Sequence, residues 1–262
     1  MYPHHERAIT RLTDHYQNDP TILALLISGS VARGWNREDS DVDYMVVITD
    51  DEFARREPHN DLTFSSPDFC DYPGGYVDGK FMNKAFLHEV FQQGSEPARA
   101  AFVGARLIFS RDPEIPALLD QIPAYPIQDQ RRKLESFYAQ MQALQWYMGE
   151  AEKRDNRYLA THTAADLVLF GGRMILAHNQ ILYPYHKWFM QELRRAPDQP
   201  AGLLDAIDVL LSQPNKTNSD RFCELVLNFT AWPQPAEGWP ARFMQESEQN
   251  WRNGQHPPLA DC

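Results

Sequence analysis

Ser28-Gly29-Ser30-Val31-Ala32-Arg33-Gly34, followed after five residues by Ser40-Asp41-Val42-Asp43, is the stretch whose reading decides the fold. It is preceded by Ile22-Leu23-Ala24-Leu25-Leu26-Ile27, a continuous apolar run between Pro20 and Gly29 that reads as a strand buried on both faces. That strand delivers a Gly-Ser turn onto a short helix expected over 30–36, whose first backbone N–H groups have no helical partner and suit a phosphate. Gly29 lets that backbone come close to a ligand. From Asp41 to Thr49 the chain alternates, with Val42, Tyr44, Val46 and Ile48 on one face and Asp41, Asp43, Met45 and Val47 on the other. Asp41 and Asp43 therefore share a face, about 7 Å apart at Cα, and can turn toward one divalent cation.

Outward from this centre, residues 3–18 read as a first helix ended by Pro20, and 56–74, rich in Pro, Asp, Asn, Ser and Gly, as a long surface loop. A strand follows at Tyr76–Met82, then a helix at 84–93, a strand at 105–109 and a short helix at 114–121. Pro123 and Pro126 mark a linker, beyond which the pattern changes to long helical periods. Helices are expected at 128–155, 157–179, 185–195, 200–212, 217–230 and 239–252, with the last residues, GQHPPLADC, frayed. The expected division is a domain over 1–122 and a helical one over 123–262.

The chain has 262 residues, enough for one large or two small domains. Its 25 Lys and Arg against 36 Asp and Glu give a formal charge of −11, which argues against a nucleic-acid partner and suits a cationic small molecule. No apolar run reaches the roughly 20 residues of a membrane span, and the amino terminus has no signal pattern, so a cytoplasmic protein without a membrane partner is expected. Cys70, Cys223 and Cys262 have no metal or disulfide spacing and are expected as ordinary thiols.

The pattern GS-x-A-R-G followed by SD-x-D resembles the signature of the DNA polymerase beta-like nucleotidyltransferase superfamily, most closely its small-molecule aminoglycoside and lincosamide nucleotidyltransferases. The resemblance implies an α/β (α+β) nucleotidyltransferase-like mixed sheet with flanking helices over 1–122, the catalytic domain, and an all-α helical-bundle domain that binds the acceptor. It also implies metal-dependent transfer of a nucleoside monophosphate, AMP from ATP, to a hydroxyl of a small cationic acceptor. Carried over by position, Gly29 and Ser30 hold the triphosphate with Ser40 beside them, and Asp41 and Asp43 ligate Mg²⁺. Arg33 touches phosphate or pairs with a carboxylate of the same turn. A third carboxylate from a later strand is expected, either for the metal or as proton acceptor, and Asp78, in a strand and beside Gly79, which is expected to leave room for a ligand, is preferred to Asp71 in the loop.

In the helical half, His162, Asp166 and Arg173 fall on one stripe of an otherwise apolar helix, where they either pair internally or line a cleft that takes the acceptor. Lys187, in the run Tyr183–Trp188, reaches a phosphate or is a solvated charge, and Trp35, Tyr72 and Tyr76 stack on a base or pack. Two other functions stay open: a protein as the acceptor, and a module that binds nucleotide without turnover.

Overall fold

The computed structural model describes residues 1–252, 254 and 256–258 and divides the chain into two compact units, Met1–Ala124 and Tyr125–Cys262. In the first unit, helix α1 (Pro3–Tyr16) leads into β1 (Ile22–Ile27), the short helix α2 (Gly29–Arg33) and β2 (Val42–Ile48). Next come α3 (Asp50–Arg56), a 3-10 turn at Glu57–His59, β3 (Thr63–Ser66), β4 (Val77–Asn83), α4 (Lys84–Gln93), α5 (Glu96–Ala100), β5 (Arg106–Ser110) and α6 (Glu114–Gln121).

The five strands form one mixed sheet in the order β3-β4-β2-β1-β5. β2 runs parallel to β4, while the pairs β1/β2, β1/β5 and β3/β4 are antiparallel. Both faces are covered, which is why β1 and β2 read as near-continuous apolar runs. On one face Val42, Tyr44, Val46 and Ile48 pack with Leu25, Ile27 and the α1 stripe Ala8, Ile9, Leu12 and Tyr16. On the other, Met45, Val47 and Met82 pack with Leu87 and Val90 of α4 and Ile115 and Leu118 of α6.

The segment expected as a loop over 56–74 contains a strand. β3 is short, polar and mostly exposed, so no apolar alternation announces it, and its pairing to β4 alone makes it a strand. α3 begins where the Thr49 side chain accepts from Glu52 N, with three acidic residues in its first turn. α5 was not expected either. It is held by buried Arg99, which donates to the carbonyls of Phe91, Gly94 and Ile122.

The second unit is helical. α7 (Ile127–Lys153) and α8 (Arg157–His178) form its centre, followed by α9 (His186–Arg195), α10 (Leu203–Ser212), α11 (Lys216–Leu227), α12 (Trp239–Ser247) and a 3-10 turn at Asn250–Arg252. Its core joins Phe137, Met141 and Met148 of α7 and Phe170, Met174 and Ile175 of α8 to Ile207 of α10 and Phe222 of α11. Of the carboxy-terminal stretch expected to fray, residues 255 and 259–262 lie outside the described residues, while Pro258 is buried and its carbonyl accepts from Arg173 Nη1 at 2.9 Å. Cys262 lies outside the described residues, and no described helix is long and apolar enough to cross a membrane.

A test of this core comes from α8. A Cβ at Gly171 would stand 2.7 Å from the Phe222 ring. Helix propensity favours Gly171→Ala by about 1 kcal/mol, but overpacking costs about 1–3 kcal/mol, so the substitution should destabilise. Phe222→Ala should cost about 3–5 kcal/mol, and in the double variant the removed ring relieves the clash. Urea titrations should therefore show the double variant more stable than the two single losses predict. Strict additivity would mean that the two side chains do not compete for one space.

Candidate functional site

The parallel register of β2 and β4 pairs Val42 with Val77, Asp43 with Asp78 and Tyr44 with Gly79. Directly paired residues point to the same face, and neighbouring strands lie about 4.8 Å apart, so the Asp43 and Asp78 carboxylates leave the sheet side by side. They share the face of Met45, Val47 and Met82 but stand at the start of the strands, ahead of that apolar cover. Asp41 is two residues upstream of Asp43, just before β2 begins. All three are partly exposed.

Gly29 completes the group from β1's end. Its φ of +62° lies in the left-handed region, and a Cβ there would fall 1.8 Å from Asp43 Oδ2, so the carboxylate occupies the space a side chain would need. The backbones are joined as well, since Ser28 N donates to Asp43 O at 2.9 Å. Ser30 is buried in α2, and its carbonyl accepts from Trp35 N at 2.9 Å.

The Tyr76 hydroxyl lies against Asp41, and that contact, with lesser repulsion from Asp78 and Asp43, holds its phenol above the usual range. One exposed hydroxyl thus feels all three carboxylates. Hard carboxylate oxygens are the donors that suit Mg²⁺, and the backbone sets three of them at neighbouring positions. Among the described residues, however, no three His, Cys, Asp or Glu side chains are gathered around one point as for an ion. The donors suit Mg²⁺ in kind and stand at neighbouring backbone positions.

Several expected residues have other partners. Arg33 also reaches out of its turn. Its Nε donates to Val103 O at 3.1 Å and its Nη2 to Ala100 O, while the guanidinium lies over the Trp35 ring, so it ties α2 to the end of α5. Asp71 is held by Arg7 at 2.8 Å and Arg11 at 3.0 Å, both on α1. The space beside Gly79 is filled by the Tyr44 ring, against which a Cβ would be 2.1 Å from Cζ, so it is not room for a ligand. Tyr44 and Tyr16 join hydroxyls at 3.0 Å, and burial, then Tyr16, pushes the Tyr44 phenol far up.

Ser40 and the residues around it form a lock that the motif did not announce. Its carbonyl accepts from Tyr72 Oη at 2.6 Å and from His5 Nε2 at 3.1 Å, and its Oγ accepts from Arg37 N. The second imidazole nitrogen of His5 takes Asn36 Nδ2 at 3.2 Å. An amide donor on one nitrogen and a carbonyl on the other require the neutral ring with its proton on Nε2. Burial, then neighbouring His4, lowers the His5 pKa in the same sense. The available signal was a histidine on the buried stripe of α1, where a polar ring must find partners.

In the second unit, His162 Nε2 is 3.3 Å from Asp166 Oδ2, one turn along α8, and Tyr158 stacks on His162. Burial raises the Asp166 pKa against the opposing pull of His162 and His186. Arg173 does not share this pair: it is 1% exposed between the rings of Phe137 and Tyr183, at 4.3 and 4.8 Å, and is bonded to Pro258. The expected polar stripe is therefore two separate features. Lys187 is exposed on α9, with its ammonium 5.4 Å from the Trp188 ring centroid.

No family model and no curated protein matches this sequence. Among solved structures the chain is similar to a nucleotidyltransferase-like protein from Exiguobacterium sibiricum, at 13% identity and a TM-score of 0.43, covering 86% of this chain and 72% of that one. At that distance the likeness bears on neither substrate nor chemistry, which rest on the residues themselves.

Two carboxylates directly opposite each other on paired strands destabilise a sheet by about 0.2–1 kcal/mol. Asp78→Asn should therefore raise the melting midpoint by about 1–4 °C in chelator and low salt. Added Mg²⁺ should then stabilise the unaltered protein more than the variant. A lower midpoint for Asp78→Asn would mean that this carboxylate supports the fold and is not held there at its expense.

Proposed function

We propose that the chain is a metal-dependent nucleotidyltransferase that moves AMP from ATP to a hydroxyl of a small, cationic acceptor such as an aminoglycoside-like molecule. The observation that carries this reading is the in-register pair Asp43 and Asp78, with Asp41 upstream and the Gly29 turn against Asp43. On this reading Met1–Ala124 is the catalytic unit and Tyr125–Cys262 the acceptor-binding one.

Asp41, Asp43 and Asp78 would hold Mg²⁺, which when bound neutralises charge on the triphosphate and favours ionisation of the acceptor oxygen. The backbone of Gly29 and Ser30 receives the phosphates at the turn that φ of +62° at Gly29 makes between β1 and α2. Arg33 serves this turn indirectly by fixing it to Val103 and Ala100. The acceptor oxygen attacks the α-phosphorus, a new P–O bond forms, the bond to pyrophosphate breaks, and the acceptor proton passes to a carboxylate. The acidic balance of the chain, −11, suits a cationic acceptor. Asp166, paired with His162 and only 15% exposed at its side chain, is assigned to an ammonium group of that acceptor. Lys187, exposed on α9, is available to a phosphate.

The test is incubation with labelled ATP and Mg²⁺ against aminoglycosides and lincosamides, followed by mass spectrometry. An adduct heavier by one nucleotidyl group, with release of pyrophosphate, is expected. Asp43→Asn should lower its formation at least about a hundredfold with the fold intact. Undiminished formation by that variant excludes the mechanism.

The acceptor assignment has its own measurement. Losing a charged hydrogen bond costs about 1.5–3 kcal/mol, so Asp166→Asn should raise the acceptor KM at least about tenfold and leave the ATP KM unchanged. A change in the ATP KM alone would remove Asp166 from the acceptor site.

A further inference from the structure

We infer that His5, with Asn36 and Tyr72, is a positioning residue of the carboxylate site: it fixes the Ser40 peptide and through it the direction in which Asp41 leaves the chain. This rests on the reading of Asp41 as a functional carboxylate.

Asp41 has no ladder of its own, because β2 starts at Val42. Its two flanking peptides are pinned instead. Ahead of it, Ser40 O receives the donors of His5 and Tyr72. Behind it, Val42 N donates to Tyr76 O at 3.1 Å. A residue held between two fixed peptides keeps one side-chain direction, which a free strand end does not.

The donors on Ser40 are themselves held. His5 is 0% exposed, on the same buried stripe of α1 as Ala8, Ile9 and Leu12, and its second nitrogen is taken by Asn36, in the same connection between α2 and β2. A buried imidazole with both nitrogens bonded has one orientation, whereas one with a free nitrogen loses a hydrogen bond it had in water. Tyr72 lies one residue beyond Asp71, which Arg7 and Arg11 fasten to α1, and Arg11 also donates to Phe69 O at 3.1 Å. The Tyr72 ring packs on His4 with centroids 4.2 Å apart. Asp71, considered as a ligand from sequence, thus anchors the residue that helps to place one.

Hydrogen exchange of the intact protein, followed by mass spectrometry over residues 37–43, tests the lock without reference to activity. Removing two hydrogen bonds in His5→Leu should speed exchange there at least about tenfold, with 44–48 and α7 unchanged. His5→Gln keeps one donor and one acceptor and should restore the slow rate. Tyr72→Phe, which leaves α1 untouched, should give an intermediate acceleration and decides the matter if His5→Leu does not fold.

In the adduct assay, His5→Leu should lower kcat with the acceptor KM unchanged, and His5→Gln should recover it. Unchanged exchange over 37–43 in a folded His5→Leu or Tyr72→Phe variant overturns the inference, as does a His5→Gln variant that exchanges like His5→Leu. If the unaltered protein forms no adduct, the transferase reading fails, and the exchange result still decides whether His5 holds Ser40.

Discussion

The parallel pairing of β2 with β4 is the constraint on which the first unit depends. In register it sets Asp43 opposite Asp78, a repulsion of about 0.2–1 kcal/mol at strand spacing. Burying one valine or isoleucine contributes about 1.5–3 kcal/mol, and the same two strands bury Val42, Val46, Val47, Ile48 and Val77. The apolar layers on both faces therefore outweigh the charge pair by a wide margin. Parallel strands also require a crossover, because the chain must return to the end at which β2 began. α3, the 3-10 turn and β3 fill that return, which gives the polar segment between β2 and β4 a structural reason.

Close packing around this pair explains two glycines by different means. At Gly29 the occupied space is on the carboxylate face, and only a residue tolerant of φ +62° and lacking a Cβ lets Asp43 lie there. At Gly79 the next residue along β4 faces the other way, into the Tyr44 ring and its bond to Tyr16. A glycine beside a carboxylate on a strand therefore says little about room for a ligand at that carboxylate. Alternation sends the two positions to opposite faces.

What was legible in the sequence follows from this. β1, β2, β4 and β5 and the long helices announce themselves, because each buries a run or stripe whose period survives in the sequence. The motif located Gly29, Asp41 and Asp43, and the strand assignment placed Asp78, but its register against Asp43 is a tertiary fact that no local pattern carries. β3 is polar and α5 is five residues long with Pro97 inside, so their reasons lie in β4 and Arg99. Arg33 looks like a phosphate contact beside a Gly-Ser turn, and two of the carbonyls to which it donates are 67 and 70 residues away. The His5 bond to Ser40 spans 35 residues. Long-range partners of single polar groups are what a sequence read alone leaves out.

α8 shows the same separation of roles within one helix. Asp166 and Arg173 are seven residues apart, about two turns, on a helix that is otherwise mostly apolar. A guanidinium is planar and weakly hydrated, so Phe137 and Tyr183 can cover its faces while a carbonyl takes an edge, and Arg173 is buried whole. A carboxylate has no such solution among rings, whose faces are negative. Asp166 remains partly solvated, with His162 beside it and His186 near, and burial already pushes its pKa up. The cation therefore stabilises the interior and is withdrawn from ligands. The anion, incompletely compensated by its neighbours, retains the capacity to gain from a positively charged group arriving from solvent.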